Sequence, residues 1–134
     1  MRPVPRPLLA AVSTGQSTVL VIDEDCDVRD TIGDVLRDAG YRVISAEHGQ
    51  QALELLAKSP APAAIILDLF MPRMNGWEFA KELRSRFRFA AVPIIVMTAS
   101  APQWAVPVPA ERVLRKPFQP SRLLDLLQTA LAPS

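Results

Sequence analysis

With 134 residues, an apolar fraction of 49% and a net charge of +1, the chain has the size of one domain and enough apolar material for a core. Setting aside Arg2 and Arg6 near the start leaves 13 basic against 14 acidic residues, or −1, and no basic stripe points to nucleic acid. The single cysteine, Cys26, excludes an internal disulfide and fits a cytoplasmic chain, and no apolar run approaches the roughly 18 residues of a membrane span.

Met1–Gln16 carries basic residues and a short apolar patch at Leu8–Val12, but Pro3, Pro5 and Pro7 crowd its front. It reads as a flexible proline-rich tail, not a signal peptide, with one domain over 17–134. Thr18–Ile22 is a buried strand that ends in the acidic cluster Asp23-Glu24-Asp25. Asp27 is placed to cap the helix carrying Val28, Ile32, Val35, Leu36 and Ala39, which Gly40 ends. Tyr41–Ala46 alternates like a peripheral strand, and a leucine-rich helix over Ala52–Ala57 stops before Ser59-Pro60. His48 is assigned to a loop, with no second histidine to make a metal site.

Ala64–Leu67 is a continuous apolar run that delivers Asp68 to its C-terminal end. Asn75-Gly76 is a turn signal before a third helix with Phe79, Ala80 and Leu83 at helical spacing, and Trp77 and Phe79 read as core. Pro93–Met97 is a fourth strand reaching Thr98, and Arg112–Arg115 a short fifth ended by Lys116-Pro117. Leu123, Leu124, Leu127, Ala130 and Leu131 mark the face of the last helix. Strands alternating with helices predict an α/β fold, a doubly wound parallel sheet with helices on both sides.

In such a sheet the carboxyl ends of the strands share one edge, where ligands bind. Asp23-Glu24, Asp68, Thr98 and Lys116 all stand at strand ends and can converge there, although Thr98 or Lys116 alone would read as an ordinary surface group. Unit charges about 4 Å apart repel by roughly 4 kcal/mol at an effective dielectric near 20, so such an acid cluster calls for a cation or a lysine to neutralise it. The segments VIDED (Val21–Asp25), ILDLFMPRMNG (Ile66–Gly76), VMTA (Val96–Ala99) and RKPF (Arg115–Phe118) occur in that order. Together they resemble the receiver domain of two-component response regulators, from Ser17 to about Leu131.

The resemblance implies a flavodoxin-like, five-stranded sheet of order 2-1-3-4-5 and a site whose residues map one by one. Asp68 would be the phosphoacceptor, with Thr98 and Lys116 contacting the phosphoryl group. Glu24, Asp68 and the backbone carbonyl of Phe70 would bind Mg²⁺ directly, with Asp23 acting through water. Oxygen donors of this kind suit a hard ion that keeps several waters. A cis Lys116–Pro117 bond is implied as well. The expected partners are a histidine kinase or a histidine phosphotransfer protein, with no nucleic acid, no membrane and an unidentified protein target. The domain is expected to be a phosphoacceptor that assists its own phosphorylation and dephosphorylation, not a conventional enzyme.

Two features depart from the family pattern. Receivers commonly carry Tyr or Phe three residues before the site lysine, and here Val113 stands there. The fourth crossover, Ala99–Glu111, has only thirteen residues and includes Pro102, Pro107 and Pro109, so its helix is expected to be shortened or missing. The chain ends at the last helix, and no output domain is expected. Two alternatives remain beside the signalling reading. One is a receiver-like interaction module that works without phosphate. The other is an aspartyl-phosphate phosphatase of the haloacid-dehalogenase kind, which wants a second Asp where Phe70 stands.

Overall fold

The computed structural model describes residues 17–69, 75–86, 89–99 and 112–132. Five parallel strands lie in the order β2-β1-β3-β4-β5: β1 Thr18–Ile22, β2 Arg42–Ala46, β3 Ala64–Asp68, β4 Ile94–Thr98 and β5 Val113–Arg115. Among the described residues the helices are α1 Cys26–Asp38, α2 Gly49–Lys58, α3 Gly76–Arg84 and α4 Pro120–Leu131. The predicted class and strand order are as expected. The expectation of a shortened or missing fourth-crossover helix lies outside the described residues.

Burial explains the layering. β1, β3 and β4 are buried along nearly their whole length, as strands covered on both faces must be. Alternate residues then feed two separate cores. Leu20, Ile22, Ile65, Leu67, Ile94 and Val96 pack with Leu53 and Leu56 of α2 and Phe79 and Leu83 of α3. Val19, Val21, Ile66, Ile95, Met97 and Leu114 pack with Ile32 and Leu36 of α1 and Leu123, Leu126 and Leu127 of α4. The register puts Ile22 beside Leu67, Asp68 beside Met97 and Thr98 beside Arg115, so the strand ends are nearly level.

Local chemistry sets the helix ends, and several differ from expectation. Asp25, not Asp27, caps α1: its carboxylate accepts from the Asp27 N–H at 2.9 Å, because the chain turns two residues earlier. Asp27 instead sits in the first turn, where a negative charge suits the helix dipole. Gly40 adopts φ +96° just beyond the helix and donates to the Arg37 carbonyl at 3.0 Å, a C-terminal conformation that favours glycine. α2 begins at Gly49 and not at Ala52. His48 is its N-cap and not a plain loop residue, with Nδ1 accepting from the Gln51 N–H at 3.2 Å.

α3 starts with a capping box. Asn75 Oδ1 accepts from the Glu78 N–H at 2.9 Å, and Glu78 Oε1 accepts from the Asn75 N–H at 3.2 Å. Trp77 is half-buried against the core on that side, in keeping with its expected packing role. Pro120 occupies the start of α4, where a missing N–H costs nothing. The buried face of α4 is Leu123, Leu126 and Leu127, with Leu124 and Leu131 only partly covered.

Candidate functional site

Asp23, Asp68 and Thr98 are the buried polar residues among those described, at 1%, 6% and 0% exposure. All three stand at the carboxyl ends of strands, at the topological switch between β1 and β3 and its neighbour β4. A carboxylate is rarely buried without a partner. Here the partner is Lys116, just beyond β5: its Nζ lies 3.0 Å from Asp23 Oδ2 and 3.7 Å from Asp68 Oδ1. The lysine reaches over β4 and draws the two acids to one cation.

The backbone holds each group in place. The Asp23 N–H continues the β1–β2 ladder to the Ala46 carbonyl at 3.2 Å. Its carboxylate also accepts from the Asp25 N–H at 2.9 Å, and its carbonyl accepts from Arg29 Nη1 at 2.6 Å. Lys116 is anchored by its own N–H, which donates to the Thr98 carbonyl at 3.0 Å, and the Lys116–Pro117 peptide is cis, as expected. After Asp68, the Leu69 N–H donates to the Met97 carbonyl at 3.2 Å, and the Gly76 N–H donates to the Leu69 carbonyl at 2.9 Å. A Cβ on Gly76 would lie 2.8 Å from Leu69 Cα, so glycine is what lets α3 start this close to the end of β3.

Among the described residues, ion pairs bring part of the predicted set together. Asp23, Asp68 and Lys116 meet directly. Thr98 ends the neighbouring strand, fully buried, and its carbonyl holds the Lys116 backbone. Glu24 follows Asp23 but is exposed, and Phe70 lies outside the described residues. Among the described residues, no three His, Cys, Asp or Glu side chains converge as a closed metal site. The donors that do converge, two buried carboxylates, suit a hard ion that keeps most of its waters and not one that demands a full protein cage. Val113, where an aromatic is common in receivers, is buried in β5.

Sequence reasoning missed Arg29, which sits among acids on α1 and looks like a surface charge. It also missed an apolar groove of about 540 Å³ that runs from Lys116 along Val28, Thr31, Pro117 and Phe118. Cys26 is exposed, with its Sγ 3.9 Å from Asp27 Oδ1. No described helix is long and apolar enough to cross a membrane.

Known proteins align with this arrangement over most of its length. Residues 19–128 match the model of the response regulator receiver domain. The rice (Oryza sativa) two-component response regulator ORR5 is 32% identical over 121 residues, covering 87% of this chain and 90% of the relative. The chemotaxis protein CheY1 of Helicobacter pylori is 34% identical over 118 residues, covering 84% of this chain and 95% of the relative. Among solved structures, Vibrio cholerae chemotaxis protein CheY4 superposes with a TM-score of 0.80 at 33% identity, covering 87% of this chain and all of that one. The receiver domain of a Pseudomonas aeruginosa sensor histidine kinase, described with magnesium coordinated in its active-site cleft, has a TM-score of 0.76 at 27% identity, covering 87% of this chain and 98% of that one. With the family's model matched over residues 19–128, this chain belongs to the response regulator receiver domains of two-component signalling.

Proposed function

We propose that residues 17–134 act as a phosphoacceptor in a two-component phosphorelay, with Asp68 taking a phosphoryl group from a histidine kinase or histidine phosphotransfer protein. The observation that carries this reading is the position of Asp68: buried at the end of the central strand, 3.7 Å from Lys116 Nζ, beside a second buried acid. A carboxylate oxygen of Asp68 forms the new P–O bond as the donor's P–N bond breaks, and the bond's electron pair returns to the imidazole nitrogen. The product is an acyl phosphate, and water later cleaves it to free phosphate and the carboxylate. Lys116 offsets charge on the transferring group, and the Thr98 hydroxyl donates to one of its oxygens.

Asp23, Glu24, Asp68 and the Phe70 carbonyl are the groups that would hold Mg²⁺. When bound, the ion supplies positive charge against the phosphoryl oxygens. The apolar groove beside Lys116 would offer a donor protein an apolar surface to press against while its phosphohistidine reaches Asp68. A free, exposed Cys26 suits a reducing cytoplasm.

The test is intact mass after treatment with acetyl phosphate and Mg²⁺. Wild type gains one phosphoryl adduct, and both Asp68→Asn and a chelator abolish it. Equal labelling of Asp68→Asn would overturn the assignment. A second reading, an interaction module working without phosphate, draws on Val113 in place of the usual aromatic. It would gain from a wild type that takes no label in the presence of Mg²⁺.

A further inference from the structure

Between Asp23 and Leu36 the chain carries six acids and one base, Arg29. That base is not spent on a carboxylate. Its Nη1 donates to the backbone carbonyl of Asp23 at 2.6 Å, from the first turns of α1 back onto the end of β1. The β1–β2 register stops at Ile22 and Ala46, so among the described residues no further strand residue is paired with Asp23. The Asp23 N–H is held by Ala46 and its carboxylate by Lys116 and the Asp25 N–H, and Arg29 adds a hold on its carbonyl.

We propose that Arg29 is a positioning residue for the acidic pair Asp23-Glu24, holding the peptide between them so that both carboxylates are presented to a divalent cation. The inference rests on the reading of the site as a cation-assisted phosphoacceptor. The peptide that Arg29 grips is the one joining the two acids, so its rotation would swing Glu24 relative to the buried Asp23. A hydrogen bond from a charged donor is among the stronger kinds, and this one is half-buried. Its purpose is separable from its charge. A guanidinium near the acids repels an incoming cation, so charge alone predicts that removing Arg29 tightens cation binding. Positioning predicts the opposite.

The probe is Mn²⁺ binding to the full chain, read from the electron paramagnetic resonance signal of the free ion, without any phosphodonor. Arg29→Met keeps the aliphatic stem and removes both donor and charge. We expect it to weaken Mn²⁺ binding by about tenfold, the low end of what loss of an outer-sphere partner does to metal affinity. Arg29→Lys, which keeps a donor on a long stem, should return affinity to within about threefold of wild type, a rescue that marks the lost hydrogen bond as the cause.

Binding by Arg29→Met that is equal to or tighter than wild type overturns the inference, even where its melting temperature falls. If the Met variant does not fold, Arg29→Leu, which also lacks a donor, decides by the same rule: weaker binding supports positioning, and equal or tighter binding overturns it. Failure of the wild type itself to bind Mn²⁺ would instead sink the underlying phosphoacceptor reading. A wild type that binds, with variants that match it, removes only the role of Arg29.

Discussion

Lys116 stands closer to Asp23 than to Asp68, with Nζ–oxygen distances of 3.0 and 3.7 Å. Asp23 is thus the ammonium's principal partner, and Asp68 shares it. Replacing Lys116 by Met takes the shared ammonium away from two buried carboxylates. Breaking a buried pair costs about 3–5 kcal/mol, and the quarter exposure of Lys116 screens part of that. We expect Lys116→Met to lower stability by about 1–3 kcal/mol in urea unfolding without divalent cation. Added Mg²⁺ should restore more stability to the variant than to wild type. An unchanged urea midpoint in the cation-free variant would count against this electrostatic account.

Gly76→Ala pits helix propensity against space. Alanine gains at most about 1 kcal/mol over glycine in a helix. The added Cβ would lie 2.8 Å from Leu69 Cα and 3.0 Å from the Asp68 carbonyl oxygen, both backbone atoms that cannot swing aside. The clash wins, with a net loss of about 1–3 kcal/mol in chemical denaturation. Because the displaced backbone carries Asp68, phosphorylation by acetyl phosphate should slow as well.

Gly33→Ala is expected to go the other way. This glycine lies in the middle of α1, and the nearest atoms its Cβ would meet belong to the Arg37 guanidinium, at 2.9 Å, the far end of a flexible and exposed side chain. Moving Arg37 strains only a 3.8 Å surface pair with Asp34. The variant should gain about 0.5–1 kcal/mol, seen as a rise of a few degrees in Tm with unchanged phosphorylation.

Tyr41 is the chain's single tyrosine, so its ionisation can be followed without interference at 295 nm. Burial pushes its phenol up from the usual 10.0, because the phenolate loses hydration. The native titration should therefore run above that of the protein in denaturant. Above the unfolded value the unfolded state binds fewer protons than the folded one. Stability that is complete below about pH 10 is then lost as pH rises through the folded value. Coincident native and denatured curves would show the phenol to be hydrated in the fold.

The parallel sheet and the identity of the strand-end residues were legible because buried strands announce themselves as unbroken apolar runs such as Ala64–Leu67. Helix starts were less legible. Asp25 and Asp27 are equally good caps by type, and only the path of the chain selects the first. His48 was unrecognised because imidazole is an unusual cap, and α2 consequently appeared to start late. Leu126 was missed on α4 because Leu123, Leu124 and Leu127 already complete a plausible stripe. Among the site residues, the sequence could set Asp23, Asp68 and Lys116 at one edge. It could not show that Lys116 favours Asp23, nor that Arg29 turns back to a carbonyl, since such preferences depend on side-chain reach.

The alternation that feeds the two cores also sets which way the two acids lean. Asp23 falls in step with Val19 and Val21, and Asp68 with Ile66, all members of the layer under α1 and α4. Lys116 keeps the same count from Leu114, whereas Thr98 is in step with Ile94 and Val96 of the opposite layer. The placement of the two acids is thus a matter of odd and even numbering. One residue inserted into β3 would turn the acceptor carboxylate towards the apolar layer of α2 and α3 while every amino acid needed for chemistry was still present. Two inserted residues would restore the count. Within the strands, insertions of one residue should therefore be far more damaging than most substitutions.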